Sequence, residues 1–425
     1  MLDINLIREN PTLVKNNEEL RDRDSKNVDV VLKLDQQWKS KLQSVEKLKH
    51  TRNVVSQEIN QAKKNKDEKT AKQKIKEMRS VAEEIKNTEE KVASLLKSRT
   101  EALMLIGNIM WDKVPKGKND FENVEIKKHG SIPKFNFKIK NHVELAEAWD
   151  LADFDASGTT SGNGFYFLKG ELALLNQALI MFALDFMHKK KYLYIEPPLM
   201  LRKEVLAAAV DTNELAQSIY SIDGENLALI GTSEHALLGI HANQTFDEKD
   251  LPKKYFSYSM CFRKEIGAHG INEKGLWRTH QFNKVEQFIF CKPEESGMYY
   301  DELLKNTEDI MKKLKLPFRV IEICAGDMAL WKYRSADVEV WRPTTESYGE
   351  TMSLSNCTDF QARKLGIKVA AKDGRKVVHT LNNTALATSR IMVAIMENFQ
   401  TKNGTIKVPK VLQPYMHGIK EIGAK

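Results

Sequence analysis

The first quarter of the chain is defined by what it lacks: no glycine occurs before Gly107, and Pro11 is its only proline. Without these two helix breakers, helix can propagate along the whole stretch. Apolar residues recur at Val31, Leu34, Trp38, Leu42, Val45, Leu48, Val55, Ile59 and Ala62, mostly in steps of three and four. That is the spacing of one helical face. A polar run, KKNKDEKT, occupies 63–70, and the period resumes at Ala71, Ile75, Met78, Val81, Ile85, Val92, Leu96, Leu103 and Ile106. Two long helices joined by a short turn predict an antiparallel helical hairpin of coiled-coil type. Each helix would run about 35 residues, roughly 50 Å. A narrow apolar seam leaves most of each helix in water, which accounts for the abundance of Lys, Glu and Gln, and so thin an arm should project from a globular body.

The tip is basic. Lys63, Lys64, Lys66, Lys69, Lys72, Lys74, Lys76 and Arg79 are set against only Asp67, Glu68 and Glu77. One reading is a solubilising surface. The other is a phosphate-binding arm whose lysines contact a polyanion without reading its sequence. The net charge of +8 is compatible with an RNA partner without requiring one.

A chain of 425 residues exceeds one ordinary core. After Trp111 a segment rich in Pro, Gly and charge reads as a linker, so we divide the chain into an arm at 1–112 and a second domain at 113–425. In the second domain strands are expected at 192–195, 227–230, 254–262, 277–291, 318–323, 336–341 and 348–356. Helices are expected at 171–190, 293–315 and 383–398. Most strands follow one another without intervening helices, which favours an α+β fold with an antiparallel sheet. No uninterrupted apolar run of about 18 residues predicts a membrane span. The opening MLDINLIRENPTLV has neither the apolar core of a secretory leader nor the Arg- and Ser-rich character of a transit peptide, so the cytoplasm is the expected compartment. Cys261, Cys291, Cys324 and Cys357 are far apart and form no CxxC pair, so neither zinc nor a disulfide framework is expected.

No GxxxxGK[ST] loop, strand-following GxGxxG or HExxH occurs, so a nucleotide site must be built another way. The segment 261–282, CFRKEIGAHGINEKGLWRTHQF, supplies the parts. A strand ends in Phe262-Arg263-Lys264-Glu265, a Gly-rich loop follows, and a second strand carries Arg278-Thr-His-Gln-Phe282. Strand alternation places Arg263 and Glu265 on one face, and Arg278 and Phe282 on one face across the hairpin. An arginine fork suits phosphate and an aromatic ring suits a purine. A salt-bridged hairpin with a core Phe would use the same residues.

This hairpin resembles motif 2 of the class II aminoacyl-tRNA synthetases, fRxE–loop–(R/H)xxxF. KYLYIEPPLM at 191–200 is similar to motif 1, and NNTALATSR at 382–390 to motif 3, ending in Arg390. More specific strings resemble the seryl-tRNA synthetase family: GTSEHALLG at 231–239, HQFNKVEQF at 280–288, YGETMSLSNCTDFQARK at 348–364 and HTLNNT at 379–384. Met352 and Leu354 depart from the family pattern, without touching an implied ligand. Gly164 stands where many relatives carry arginine, so no role is carried to that position. Thr384 fits the archaeal and eukaryotic cytosolic branch, and the zinc-dependent methanogen type is disfavoured.

The resemblance implies a class II catalytic domain behind an N-terminal tRNA-binding arm, in an enzyme that activates L-serine with ATP and loads it onto tRNA(Ser), with tRNA(Sec) as a further acceptor. It implies that Arg263 holds the α-phosphate and serine carboxylate, and that Glu265 contacts the adenine end. Phe282 stacks on adenine opposite Arg390, which reaches the γ-phosphate, while Arg278 binds the bent triphosphate. Glu350 and Ser353 sit at a Mg²⁺–phosphate site, Thr232 and Glu234 grip the serine ammonium, and Glu286, Asn382 and Thr384 surround the serine side chain. On this resemblance Arg263, Glu265 and Arg390 are the catalytic set, and Lys63, Lys64, Lys66, Lys69 and Lys72 contact tRNA. Motif 1 implies a homodimer. Trp331 and Trp341 read as packing residues, and His269 and His280 lack metal spacing. Two other readings were weighed: a paralog that loads a carrier protein, which lacks such an arm, and a non-catalytic scaffold, which would have lost Arg263, Arg390, Glu350 or Glu286.

Overall fold

The computed structural model describes residues 1–210, 217–265, 274–372 and 374–423. The His269 position falls outside them. The chain forms two compact units, one spanning Leu2–Gly107 and the other Asn108–Lys425 together with Met1.

The first unit opens with helices α1 (Ile4–Glu9) and α2 (Pro11–Leu20), followed by the hairpin of α3 (Lys26–Lys64) and α4 (Glu68–Met104). The connection is only three residues, shorter than the polar run implies, because lysine and glutamate remain good helix formers up to the turn. Lys66 takes a left-handed φ of 56°, and Asp67 caps α4 by accepting the Thr70 N–H at 3.0 Å. Val31, Val45, Val55, Ile59 and Ala62 are buried against Ala71, Val81, Ile85 and Leu103. Lys49–Glu89 (2.7 Å) and Lys74–Glu58 (2.8 Å) tie the helices across the seam. Two seam positions differ from expectation. Leu96 is 39% exposed, and its neighbour Leu95 is the more buried of the two. Asp35 is buried at the base of the hairpin, where it accepts from Arg8 (2.7 and 2.8 Å) and Arg99 (2.8 Å). Arg99 also lies 4.5 Å over the Trp38 ring.

The second unit is built on an eight-stranded sheet. Its strands are β1 (Val124–His129), β2 (Leu193–Tyr194), β3 (Lys253–Phe262), β4 (Gln281–Cys291), β5 (Phe318–Glu322), β6 (Arg334–Arg342), β7 (Ser347–Thr358) and β8 (His379–Ala387). The order is β1-β5-β6-β7-β8-β4-β3-β2, antiparallel except for β2 beside β3. Helices α5 (Gly170–Lys189), α6 (Glu234–Gly239), α7 (Ser296–Leu314) and α8 (Thr388–Asn398) complete the frame. By length and composition α5 could cross a membrane, but ten of its twenty residues are buried, and Leu172, Leu175, Leu179 and Phe182 among them lie in the main core.

Three expectations are corrected. The segment 124–129, read as linker, is an edge strand. The strand expected from 277 begins at Gln281. Residues 383–387 belong to β8, so the last helix starts at Thr388. The two asparagines of HTLNNTALA masked this strand. It is nonetheless buried along nearly its whole length, and Asn383 donates to the Leu303 carbonyl (3.0 Å) and the Thr307 hydroxyl (2.9 Å) on α7.

Strand alternation separates core from cleft. On β4, Val285, Gln287 and Ile289 face the helices, and Gln287 donates to Leu303 and Thr307 of α7. Phe282, Lys284 and Glu286 take the opposite face and line a cleft. On β7, Met352 and Leu354 enter the core while Thr351, Ser353 and Ser355 face the cleft. A bulge against β6, where Val338 pairs with Met352 but Glu339 pairs with Glu350, turns Glu350 to the cleft side as well.

Candidate active site

A cleft of about 430 Å³ opens on the sheet face away from α5 and α7, with the first turn of α8 at its rim. All twelve residues singled out in this domain line it: Thr232, Glu234, Arg263, Glu265, Arg278, Phe282, Glu286, Glu350, Ser353, Asn382, Thr384 and Arg390. Their arrival there owes less to strand alternation than expected at the hairpin. β3 ends at Phe262, so Arg263 and Glu265 lie just beyond it, and Glu265 has a left-handed φ of 50°. Arg278 precedes β4. His280 holds this irregular junction closed: its backbone accepts the Arg263 N–H at 2.9 Å, and its Nδ1 donates to the Arg263 carbonyl at 2.9 Å. The His280 N–H donates to the carbonyl of Gly164, which sits at φ 78°. That backbone contact is the visible role of this position.

At one end of the cleft the groups are phosphate-like in their demands. Arg263 donates from Nε to the Gly231 carbonyl (3.1 Å), and its guanidinium lies 5.4 Å over the Phe282 ring. Arg278 pairs with Glu265 at 3.5 Å. Arg390, in the first turn of α8, donates to the Trp277 carbonyl (3.3 Å) and the Glu350 carbonyl (2.6 Å), and pairs with the Glu350 carboxylate at 3.2 Å. Trp277 is held between Arg342 (4.2 Å) and Arg390 (5.5 Å), over Gly349, where any Cβ would collide with the indole. Burial opposes charge on Glu350, but Arg390, Arg263 and Lys332 outweigh it and hold the carboxyl below its usual value. Beside it, burial and the Glu350 charge push Asp337 up. Lys332 donates to Ser353 at 3.3 Å and to Ser335 at 3.0 Å.

The other end is more deeply buried. Glu234 accepts from Gln361 at 2.8 Å, and Gln361 accepts the Thr380 hydroxyl at 2.9 Å. Burial, with Glu286 adding to it, raises the Glu234 carboxyl to about 7. Glu286, 1% exposed, accepts from Thr384 (3.2 Å) and pairs with Lys284 (3.0 Å). His235 is pushed down to about 3, by burial first and then by Lys284 and Arg263, so its ring is neutral.

Sequence reasoning missed Lys284, Lys332, Trp277 and His235, all of which line the cleft; Trp331 packs against a buried cluster, as expected, and borders the cleft as well. The signal for Lys284 was present in HQFNKVEQF, where the period of two that exposes Phe282 and Glu286 to the cleft must expose the residue between them. Lys332 lies on a turn before β6, where no period applies. Trp341 does pack, edge-on against Tyr348 at 5.1 Å. The tip residues Lys63, Lys64, Lys66, Lys69 and Lys72 belong to the first unit and are exposed there.

Chemically, five cations and four carboxylates surround a cleft of nucleotide size, with an aromatic face at one end and a buried polar pocket at the other. The chain is similar to known proteins over nearly its whole length. Residues 219–399 match the family description "tRNA synthetase class II core domain (G, H, P, S and T)", and residues 1–110 match "Seryl-tRNA synthetase N-terminal domain". The chain is 42% identical to a serine–tRNA ligase of Methanocella arvoryzae, covering 99% of each chain. It is similar to the crystal structure of seryl-tRNA synthetase from Pyrococcus horikoshii complexed with ATP, at a TM-score of 0.93 and 39% identity over 99% of both chains. It also resembles the cytoplasmic serine–tRNA ligase of Naegleria fowleri in complex with AMP, at a TM-score of 0.88 and 33% identity over 99% of this chain and 98% of that one.

Proposed function

Because this chain belongs to the seryl-tRNA synthetase family, whose members activate serine with ATP and charge tRNA(Ser), we propose that the cleft framed by β3, β4, β7, β8 and α8 carries out both steps. The observation that supports this most is that twelve residues, scattered over 159 positions from Thr232 to Arg390, line one cleft with cations at one end and a buried polar pocket at the other.

Activation joins a carboxylate oxygen of serine to the α-phosphorus of ATP and breaks the bond to pyrophosphate. The nucleophile is already an anion, so no general base is needed; the site must align two anions and cancel their charge. In this reading Arg263 holds the α-phosphate and serine carboxylate together, while Arg278 and Arg390 take the charge that moves onto pyrophosphate. The Phe282 face and Glu265 receive the adenine. Arg390 and Arg278 pair with Glu350 and Glu265 in the free site, so they are pre-aimed rather than mobile. Thr232 and Glu234 take the serine ammonium, and Glu286, Asn382 and Thr384 the side chain. In the second step the terminal 3′-hydroxyl of tRNA attacks the seryl carbonyl and AMP leaves.

A magnesium ion fits the donor set at Glu350 and Ser353. Both are hard oxygen donors, Glu350 opens into the cleft, and the buried Oδ1 of neighbouring Asp337 has no hydrogen-bond partner. When bound there, the ion supplies further neutralisation of triphosphate charge.

The exposed lysines of the α3–α4 turn are our choice for the contact with tRNA, by backbone and shape. The edge strand β2 exposes Leu193 (61%), with Tyr194 and Met200 also exposed nearby, which supports a second copy of the chain covering this apolar edge. The cytoplasm is the compartment we assign.

ATP–pyrophosphate exchange across a panel of amino acids tests the reading. Exchange stimulated by serine alone, without tRNA, is the expected result; stimulation by another amino acid, or by none, overturns it.

A further inference from the structure

The middle cleft-facing residue of β4 has no part in the reaction as described so far. Lys284 is buried, with 8% of its side chain exposed, and its Nζ lies 3.0 Å from Glu286 Oε2. Thr384 donates its hydroxyl to that same oxygen at 3.2 Å. Both contacts therefore load Oε2, and among the described residues no protein group engages Oε1. A buried ammonium and a buried carboxylate are each costly alone, and here each offsets the other's charge. Among the described residues, Glu234 and His235 of α6 and Cys261 of β3 lie within electrostatic reach of the pair, and Arg263 in turn acts on His235 and Cys261. Glu234 repels Glu286, and among the described residues the only cation in salt-bridge contact with Glu286 is Lys284.

We propose that Lys284 is a positioning residue for serine selection: by offsetting the charge of Glu286 and occupying its Oε2, it presents Oε1 as the acceptor for the substrate hydroxyl. This rests on the reading of Glu286 as a serine side-chain contact. Alanine, lacking the hydroxyl, would bury Oε1 with no donor, which is the kind of contact that yields strong discrimination.

Lys284→Met, Lys284→Arg, Glu286→Gln and the Lys284→Met/Glu286→Gln double variant, measured by pyrophosphate exchange, test the inference. Lys284→Met should raise the KM for serine about tenfold, as Glu286 Oε2 loses its partner and Oε1 its fixed aim, and move the KM for ATP by less than about twofold. Lys284→Arg should restore most of the loss. In the Glu286→Gln background, Lys284→Met should add no further factor, because the lysine acts only through that carboxylate. Full multiplication of the two single effects would mean that Lys284 touches serine directly, and equal rises for serine and ATP would mean general structural support; either overturns the proposal. If Glu286→Gln leaves the serine KM unchanged, the underlying reading of Glu286 fails. If Glu286→Gln raises it and Lys284→Met does not, this inference alone fails. Should Lys284→Met not fold, the same cycle with Lys284→Gln decides.

Discussion

Glu234 is a carboxyl raised to about 7 in a site meant to bind an ammonium group. Its folded pKa lies above the ordinary value of 4.5, so the neutral form is favoured and the folded chain loses stability as pH rises from about 4.5 to about 7. Serine requires the charged form. The KM for serine should therefore climb as pH falls below 7, by up to about tenfold per unit, while Glu234→Gln should bind serine weakly at every pH. A serine KM that is flat between pH 5.5 and 8 in the wild-type enzyme would count against this role. Arg390→Ala should lower kcat/KM for exchange by roughly 100-fold, the loss typical of one preorganised charge-stabilising donor, with the fold intact by circular dichroism. At this scale the sequence was most legible where motifs are contiguous, and it was silent on Lys332, whose relation to Ser353 exists only after β6 and β7 pair.

The hairpin teaches a different lesson at the scale of the element. A period of three and four found the seam but could not foresee a charge inside it, because burial of Asp35 depends on Arg8 from α1 and Arg99 from α4. Burial alone would raise the Asp35 carboxyl, yet the hydrogen bonds from those two arginines lower it to about 2. Its stabilising contribution is present above about 3.8 and is lost as pH falls toward 2. Asp35→Ala leaves a buried cation uncompensated and should weaken the hairpin by roughly 3 kcal/mol. Faster hydrogen exchange in α3 and α4, with serine-dependent exchange activity unchanged, would be the signature. Replacing Lys63, Lys64, Lys66 and Lys69 together with glutamate should raise the KM for tRNA at least about tenfold and leave pyrophosphate exchange untouched. An unchanged tRNA KM would return the tip to a solvated surface. β8 shows the converse failure. Its asparagines argue against a strand, and only the α7 partners of Asn383 make that position affordable.

For the whole molecule, the order of motifs along the chain was readable, and the antiparallel sheet followed from strands that succeed one another. The edge strand β1 was not readable, since all six of its residues are exposed and its apolar alternation stops after Val124 and Ile126. The apolar edge at β2 leads to a prediction for the intact chain: sedimentation should give a dimer, and Leu193→Lys should shift it toward monomer. A monomeric yet fully active wild-type protein would sink the homodimer. The paired charges of the cleft have one more consequence. Arg390 and Arg278 already sit on Glu350 and Glu265, so a nucleotide entering there exchanges one set of half-exposed ion pairs for another. The lysines of the hairpin turn are open to water. The enzyme should thus feel ionic strength through only one of its substrates: added salt would weaken its hold on tRNA steeply and on ATP hardly at all.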